Sequence, residues 1–313
     1  MVCHPYLGSL PVSLNQAGHQ RLWYWRGWRV RYWFHPGPTD AHSPSPLLLI
    51  HGFGANLNQW RHNLPSLSET RPVYALDLLG FGDAAKVPTL YGTDLWGSQV
   101  ADFIDQVVGR SVLLVGHSLG ALVALTVAHH YPQRVDRLAM ITLPLTAARE
   151  DLVAGWVSNL ALRIEAFMAN PLLLRPLFSL VKQPWFLEWA LRGIYLNPGW
   201  VDEELLNLFA LPPQQRGAAR ALCYLVRSRS HANFSSSIRT MIRELNQPAL
   251  LLWGEQDRVI PIGLALGLEQ LSPCLFSERV PITGHCVYDE HADQFNQLIL
   301  EWATSKHPNL VDN

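Results

Sequence analysis

Short apolar runs alternate with amphipathic stretches through the first half of the chain and again towards its end. The runs are rich in Leu, Val and Ile, as buried strands are, and the stretches between them have the period of helices. Strands are predicted at 47–50, 72–76, 111–115, 135–142, 249–253 and 274–280, and helices near 56–62, 92–108, 121–130, 262–271 and 292–304. This alternation predicts an α/β fold, with a mostly parallel sheet covered by helices on both faces.

Aromatic and arginine residues alternate around Gly27 over residues 20–34, before the first parallel strand. A two-residue period with a turn at its centre is typical of a β-hairpin with one solvent-facing side. Arginine interleaved with tryptophan is also found on surfaces that stack nucleic-acid bases. An edge hairpin is the commoner cause of this pattern, and it is the interpretation we adopt.

The alternation stops between residues 145 and 245. This region lacks a clear strand-like run and instead contains amphipathic helical stretches separated by prolines, at 152–168, 171–181, 185–195, 202–209 and 217–228. The strand pattern returns at 249–253. We therefore predict one core formed by residues 1–144 and 246–313, interrupted by an inserted α-helical cap at 145–245.

The predicted strand at 111–115 ends in Gly-x-Ser-x-Gly at 116–120 and passes directly into a helix. A serine on so tight a turn has a strained backbone, and the positions two before and two after it must be small, here Gly116 and Gly120. The turn exposes the hydroxyl at the start of a helix, whose dipole favours developing negative charge. Ser118 is therefore the candidate nucleophile; the alternative is a glycine-rich turn with an incidental serine.

A nucleophilic serine needs a base, and the base needs an acid that orients it. In open α/β sheets such groups lie just after the carboxyl ends of strands. Asp257 follows the strand at 249–253, and His285 follows the strand at 274–280. We predict Asp257 as the acid and His285 as the base, with Glu255 as a competitor for the acid and the other histidines among the chain's thirteen as competitors for the base.

Two backbone N–H groups near the serine hydroxyl would have to stabilise the oxyanion. Leu119 follows the nucleophile directly and is predicted to supply the first. Phe53 is predicted to supply the second, because it lies in a glycine-flanked loop after the first parallel strand, where the backbone can approach a substrate. His51, at the start of that loop, is interpreted as a structural residue that holds it.

These motifs, in this order, resemble those of the α/β-hydrolases over almost the whole chain. They are His-Gly-Phe-Gly at 51–54, Asp-x-x-Gly-x-Gly at 77–82, Gly-His-Ser-Leu-Gly at 116–120, Gly-x-x-Asp-x-x-x-Pro at 254–261 and Gly-His at 284–285. The resemblance implies that Ser118 attacks an acyl carbon and that water hydrolyses the acyl-enzyme, a mechanism that needs no metal and no cofactor. Asp83 and Ala121 depart from the serine and glycine common in relatives, which puts only loop packing in doubt. Capped dehalogenases and epoxide hydrolases use an aspartate nucleophile, so Ser118 argues against both.

The composition of the chain limits the kinds of partner that it can bind more than it limits the choice of fold. The chain has 313 residues, of which 49% are hydrophobic and 16% charged, and its net charge is −1. A nearly neutral chain lacks the basic face that nucleic-acid binding requires, and the four scattered cysteines form no Cys-x-x-Cys pair of the kind that binds zinc. Neither a signal peptide nor a membrane-spanning stretch is recognisable, so we expect a cytoplasmic protein or one held peripherally at a membrane.

The predicted cap is the main indication of the substrate. Residues 171–191 carry more apolar and aromatic side chains than a solvated helix needs. Packing on the core accounts for some of them, and the others are expected to line an apolar pocket or to rest on a membrane surface, which favours a large apolar substrate. The sequences at 49–65 and 73–82 particularly resemble the cyanobacterial and plastid hydrolases that include chlorophyll dephytylase and pheophytinase. That resemblance implies cleavage of chlorophyll to chlorophyllide and phytol at a thylakoid membrane. The alternatives are a general carboxylesterase or lipase, a C–C bond hydrolase, and a ligand-sensing receptor on a hydrolase fold.

Overall fold

The computed structural model describes residues 18–38, 44–145, 178–180, 182–229 and 233–304. Within them, eight strands form one sheet in the order β1-β2-β4-β3-β5-β6-β7-β8. The strands are β1 His19–Trp25, β2 Trp28–His35, β3 Leu47–Ile50, β4 Val73–Leu76, β5 Val112–His117, β6 Val135–Ile141, β7 Ala249–Gly254 and β8 Leu275–Val280. Strands β3 to β8 run parallel, and β1 and β2 pair antiparallel, so the predicted fold with a mostly parallel sheet is confirmed.

Helices lie on both faces of this sheet. They are α1 Leu64–Ser68, α2 Thr93–Phe103, α3 Leu119–His130, α4 Pro184–Ile194, α5 Glu203–Ala210, α6 Ala218–Arg229, α7 Ile238–Arg243, α8 Val287–Glu290 and α9 Ala292–Thr304. Alternate side chains of β3 enter opposite cores: Leu48 and Ile50 pack with α2 and α3, whereas Leu47 and Leu49 pack with α1 and α9. All four are fully buried, which explains why this strand is a continuous apolar run.

The hairpin predicted around Gly27 forms the edge of the sheet. Among the described strands, β1 pairs only with β2, and β2 pairs in turn with β4. Arg26 and Gly27 have φ of 50° and 81°, so both turn residues are left-handed, as the tightest hairpin turns require. The alternating arginines and aromatic residues therefore belong to an edge hairpin.

Two of the helix predictions are wrong. Residues 262–271 form two separate 3₁₀ turns, Ile262–Ala265 and Leu268–Leu271, because Gly267 between them has φ 79°, which no right-handed helix accommodates. Around 56–62 the chain makes only the 3₁₀ turn Leu57–Trp60, and α1 begins after it with a proline in its first turn.

Only helices and turns occur in the described residues between β6 and β7. Helices α4, α5 and α6 correspond to the stretches predicted at 185–195, 202–209 and 217–228. The stretch predicted at 152–168 lies outside the described residues, as does most of 171–181. Helix α7 packs on the core, where Met241 contacts Thr126 of α3. In the part of the chain that the structure describes, no helix is long and apolar enough to cross a membrane.

Candidate active site

Ser118 lies on a sharp turn between β5 and α3. Its φ of 52° and ψ of −116° are unfavourable for any residue with a side chain, at a cost of about 1–3 kcal/mol. The surrounding packing enforces this turn: the Ser118 N–H donates to the carbonyl of Ile141 at 2.8 Å. A Cβ at Gly120 would collide with the carbonyl oxygens of Ile50 and His51, which explains why the motif needs a glycine there.

Asp257 and His285 lie together in the loops after β7 and β8. The distance between His285 Nδ1 and Asp257 Oδ2 is 2.8 Å, and both side chains are buried. The other oxygen of Asp257 accepts the N–H groups of Val259 at 2.8 Å and Ile260 at 2.9 Å. The carboxylate is therefore fixed from both sides. Since an ionised carboxylate only accepts hydrogen bonds, His285 carries its proton on Nδ1 and leaves Nε2 free to act as a base.

Glu255, the competing acid, is exposed at the surface, and Asp257 is the carboxylate that pairs with His285. The histidine competing most directly by position is His117, which immediately precedes Ser118. His117 contacts the backbone of His285 and the rings of His285 and Tyr288.

His117 joins the three loops of the site, a role that the sequence analysis did not assign. Its Nε2 donates to the carbonyl oxygen of His285 at 3.1 Å, and the two imidazole centroids are 4.8 Å apart. A Cβ at Gly52 would lie 2.8 Å from His117 Nδ1, so the loop after β3 also packs on this ring. Burial, reinforced by neighbouring His285, holds the pKa of His117 well below its usual value, so the ring stays neutral. The residue before Ser118 thus fixes the backbone of His285.

The loop containing Phe53 is held by side chains beneath it. His51 Nε2 accepts the N–H of Leu78 at 3.0 Å, so its Nδ1 carries the proton and donates to the carbonyl oxygen of Gly52 at 2.8 Å. The Gly52 N–H donates to Gln59 Oε1 at 3.1 Å. Burial lowers the pKa of His51, which keeps the ring neutral and suits this pair of bonds. Phe53 itself has a 57% exposed side chain, whereas Leu119 is buried at the start of α3.

A buried ion network lies under the same loop. Asp77 accepts the N–H of Leu57 at 2.8 Å through one oxygen, and Arg31 Nε and the Asp83 N–H at 2.7 Å each through the other. Arg31 also contacts the Asp83 carboxylate at 2.9 Å. Burial opposes the ionisation of Asp77, but the charge of Arg31, the neighbouring His51 and the hydrogen bonds from Arg31 and the Asp83 N–H together outweigh it and lower the pKa of the carboxyl group. Asp83, the departure from the family pattern, is thus a second partner for Arg31.

The Asp77→Asn substitution is expected to lower the free energy of unfolding by about 3–5 kcal/mol at pH 7, because it removes the main partner of a buried arginine. The folded pKa of Asp77 lies below its usual value of 3.8, so its stabilisation is complete above pH 4 and disappears as the pH falls through the folded pKa. Urea denaturation of both proteins between pH 3 and pH 7 measures this. Equal stability at pH 7 would contradict the prediction.

No three His, Cys, Asp or Glu side chains cluster as metal ligands within the described ranges. The structure brings Asp257 and His285 together and connects His285 to the residue preceding Ser118. Phe53 lies in the loop that packs on His117 through Gly52. An arrangement of this kind is able to activate a hydroxyl nucleophile, because the carboxylate already holds the imidazole through a hydrogen bond.

Residues 45–292 match the family model of the alpha/beta hydrolase fold. A dihydrolipoyllysine-residue acetyltransferase component of an acetoin cleaving system from Pseudomonas putida is 29% identical over 88% of this chain, which spans only 66% of that relative. A pimeloyl-[acyl-carrier protein] methyl ester esterase from Methylococcus capsulatus is 30% identical over 85% of this chain and 97% of its own length.

A meta-cleavage product hydrolase from Pseudomonas fluorescens has a similar solved structure, with a TM-score of 0.72. The two chains are 23% identical, and the likeness covers 90% of this chain and 96% of that one. At this identity the likeness shows the fold. The family match, in contrast, covers most of the sequence, from the loop before β3 to the start of α9. This chain therefore belongs to the alpha/beta hydrolase fold family, and it is a hydrolase of that fold.

Proposed function

We propose that this protein is a serine hydrolase that cleaves a carboxylic ester through an acyl-enzyme, with Ser118 as nucleophile, His285 as base and Asp257 as orienting acid. The 2.8 Å hydrogen bond between His285 and Asp257 carries the proposal. Two backbone N–H groups hold the other carboxylate oxygen, so the acid is fixed before any substrate binds. The methyl ester esterase relative supports an ester as the bond that is broken.

In the proposed reaction, the Ser118 hydroxyl attacks the ester carbonyl while His285 Nε2 takes its proton. The N–H groups of Leu119 and Phe53 stabilise the oxyanion, and the imidazolium then protonates the departing alcohol. Water, deprotonated by His285, attacks the acyl-enzyme and releases the carboxylic acid and free Ser118. Asp257 holds the imidazole tautomer throughout and stabilises its positive charge.

We assign a large apolar ester as the substrate, with the phytyl ester of chlorophyll as the specific candidate. Helix α4 supports this, because Trp185 and Trp189 are 61% and 69% exposed on a helix predicted to belong to the cap. Large aromatic side chains at such exposure suit an apolar ligand or a membrane surface that carries it. The resemblance of the segments at 49–65 and 73–82 to chlorophyll-hydrolysing proteins supports the choice of chlorophyll.

The test is incubation of the purified protein with chlorophyll a in mild detergent, alongside p-nitrophenyl esters and a meta-cleavage dienoate, with Ser118→Ala as control. Chlorophyllide is separated from phytylated pigment by solvent partition. Multiple turnovers of chlorophyll, lost in the variant, would support dephytylation. Ser118-dependent turnover of p-nitrophenyl esters alone would overturn chlorophyll as the substrate and leave the assignment as an esterase in place. Turnover of the dienoate alone would show that the activity is C–C bond hydrolysis and not ester hydrolysis. A single burst of product without further turnover would favour a ligand-sensing receptor.

A further inference from the structure

The segment that follows α4 packs directly on the loop that carries His285. A Cβ at Gly284 would lie 2.8 Å from the backbone nitrogen of Leu196 and 3.3 Å from the carbonyl oxygen of Ile194. Glycine at position 284 thus permits close approach of two backbones. The segment after α4 and the loop of the proposed catalytic base therefore approach each other closely through their backbones at Gly284.

Glu290 lies at this junction, and its buried carboxylate bonds to both sides of it. Oε2 accepts the N–H of Leu196 at 3.0 Å, from the segment after α4, and the N–H of Gly284 at 3.3 Å. Oε1 accepts the N–H of Cys286 at 3.3 Å. Gly284 and Cys286 are the residues on either side of His285, so one side chain fixes the backbone both before and after it.

The carboxylate of Asp289, next to Glu290 in the chain, makes a separate connection between the segment after α4 and the core. Asp289 accepts the hydroxyl of Tyr195 at 2.5 Å and contacts Arg61 at 3.0 Å. These bonds join the segment after α4 to the core through side chains that do not touch the N–H groups of Gly284 or Cys286. Two adjacent carboxylates therefore anchor neighbouring residues of one segment, but of these two it is Glu290 that accepts backbone N–H groups of the loop at 284–286.

We propose that Glu290 is a positioning residue for His285, and that it ties the placement of the base to the segment after α4. The inference rests on the proposed function. Asp257 orients the imidazole ring through Nδ1, but it does not fix the backbone from which the ring projects. Glu290 does so through the N–H groups of Gly284 and Cys286. A small displacement of Nε2 slows proton transfer while leaving substrate binding almost unchanged, because binding surfaces elsewhere are untouched.

The test compares steady-state kinetics of Glu290→Gln and Glu290→Ala on a soluble p-nitrophenyl ester, well below the melting temperature of each variant. Glutamine keeps the volume and one acceptor oxygen, so kcat is expected to fall about 10-fold, whereas alanine is expected to lower it about 100-fold. KM is expected to stay within about twofold of the wild type in both, since position rather than binding is lost.

Tyr195→Phe is the matched control, since it removes the hydroxyl that bonds to Asp289 and contacts the Cys286 thiol but leaves all three N–H bonds to Glu290 in place. We expect it to lower the melting temperature but to keep kcat within about twofold, which separates positioning from general loosening of the junction. Equal kcat in Glu290→Gln and wild type, with Ser118-dependent activity present, would overturn this inference alone. Absence of any Ser118-dependent hydrolysis in the wild type would overturn the proposed function and this inference with it.

Leu196→Pro is a second variant, and it leaves the Glu290 side chain in place. Its kinetics test the proposal if the Glu290 variants do not fold. The substitution removes the N–H that Leu196 donates to Glu290 and replaces the half-buried leucine side chain with a proline ring. Tyr195 is extended, with φ −78° and ψ 141°, a conformation that a residue preceding proline adopts readily. A fall in kcat of about three- to tenfold with KM within about twofold is expected, and wild-type kcat would overturn the proposed tie between this segment and His285.

Discussion

The Ser118→Ala substitution is expected to lower kcat for ester hydrolysis by roughly 10⁶-fold, to the level of residual catalysis by substrate binding and the oxyanion hole. The reason is that the hydroxyl oxygen is the atom that forms the acyl bond, and no other group at the turn replaces it. Hydrolysis of a p-nitrophenyl ester measures the loss of kcat. Mass spectrometry of the quenched reaction measures the acyl adduct, which is expected on wild-type Ser118 and not in the variant.

The Ser118→Gly substitution provides a control that separates chemistry from folding. It is expected to be as inactive as Ser118→Ala, but its free energy of unfolding is expected to be about 1 kcal/mol higher. Glycine adopts φ 52° and ψ −116° without strain, and its greater freedom in the unfolded chain offsets part of this gain. Activity within tenfold of the wild type in either variant would contradict the role of Ser118.

The Asp257→Asn substitution is expected to lower kcat by about 10⁴-fold. An asparagine amide is able to offer its own N–H to His285 Nδ1, which would move the imidazole proton to Nε2 and remove the base. The two N–H groups from Val259 and Ile260 favour this outcome, because they would retain the amide oxygen and leave the NH₂ group facing the ring. Ester hydrolysis at pH 7 measures the effect, and circular dichroism verifies that the variant is folded.

Glu255→Gln is the matched control for this carboxylate. Glu255 lies two residues earlier in the same loop, but it is exposed, whereas Asp257 is buried against His285. We expect Glu255→Gln to keep kcat within about twofold of the wild type, since exposed substitutions away from the pair disturb little. A large loss in Glu255→Gln together with wild-type activity in Asp257→Asn would show that the acid had been assigned to the wrong residue.

Strands β3, β4, β5 and β7 could be predicted because each is buried on both faces and consists almost entirely of apolar residues. The same use of apolar spacing wrongly predicted a helix at 262–271. Its apolar spacing fits a helix, but the left-handed conformation of Gly267 breaks it, and a glycine within such a pattern does not reveal its φ. Local periodicity therefore predicts where apolar faces lie better than it predicts where a helix is interrupted.

Residues in the candidate site were predictable where they belong to local motifs. Ser118 lies in Gly-x-Ser-x-Gly, and Asp257 and His285 each follow a predicted strand. The roles of His117 and Glu290 were not predictable, because their partners are distant in sequence: His117 bonds to His285, and Glu290 bonds to Leu196. Pairings of that kind depend on how loops from separate strands meet, which no single stretch of sequence contains.

The connection between β6 and β7 has a consequence for how this protein can diversify. The two strands are neighbours, with Ile141 opposite Leu252, and α7 packs on α3 to complete the crossover between them. The chain thus makes an excursion between β6 and α7 whose two ends lie at one place in the scaffold. The entropy of closing such a loop rises only with the logarithm of its length, by about 0.6 kcal/mol for each doubling. Lineages can therefore lengthen, shorten or exchange this excursion at little thermodynamic cost, while the sheet and the loops after β5, β7 and β8 stay unchanged.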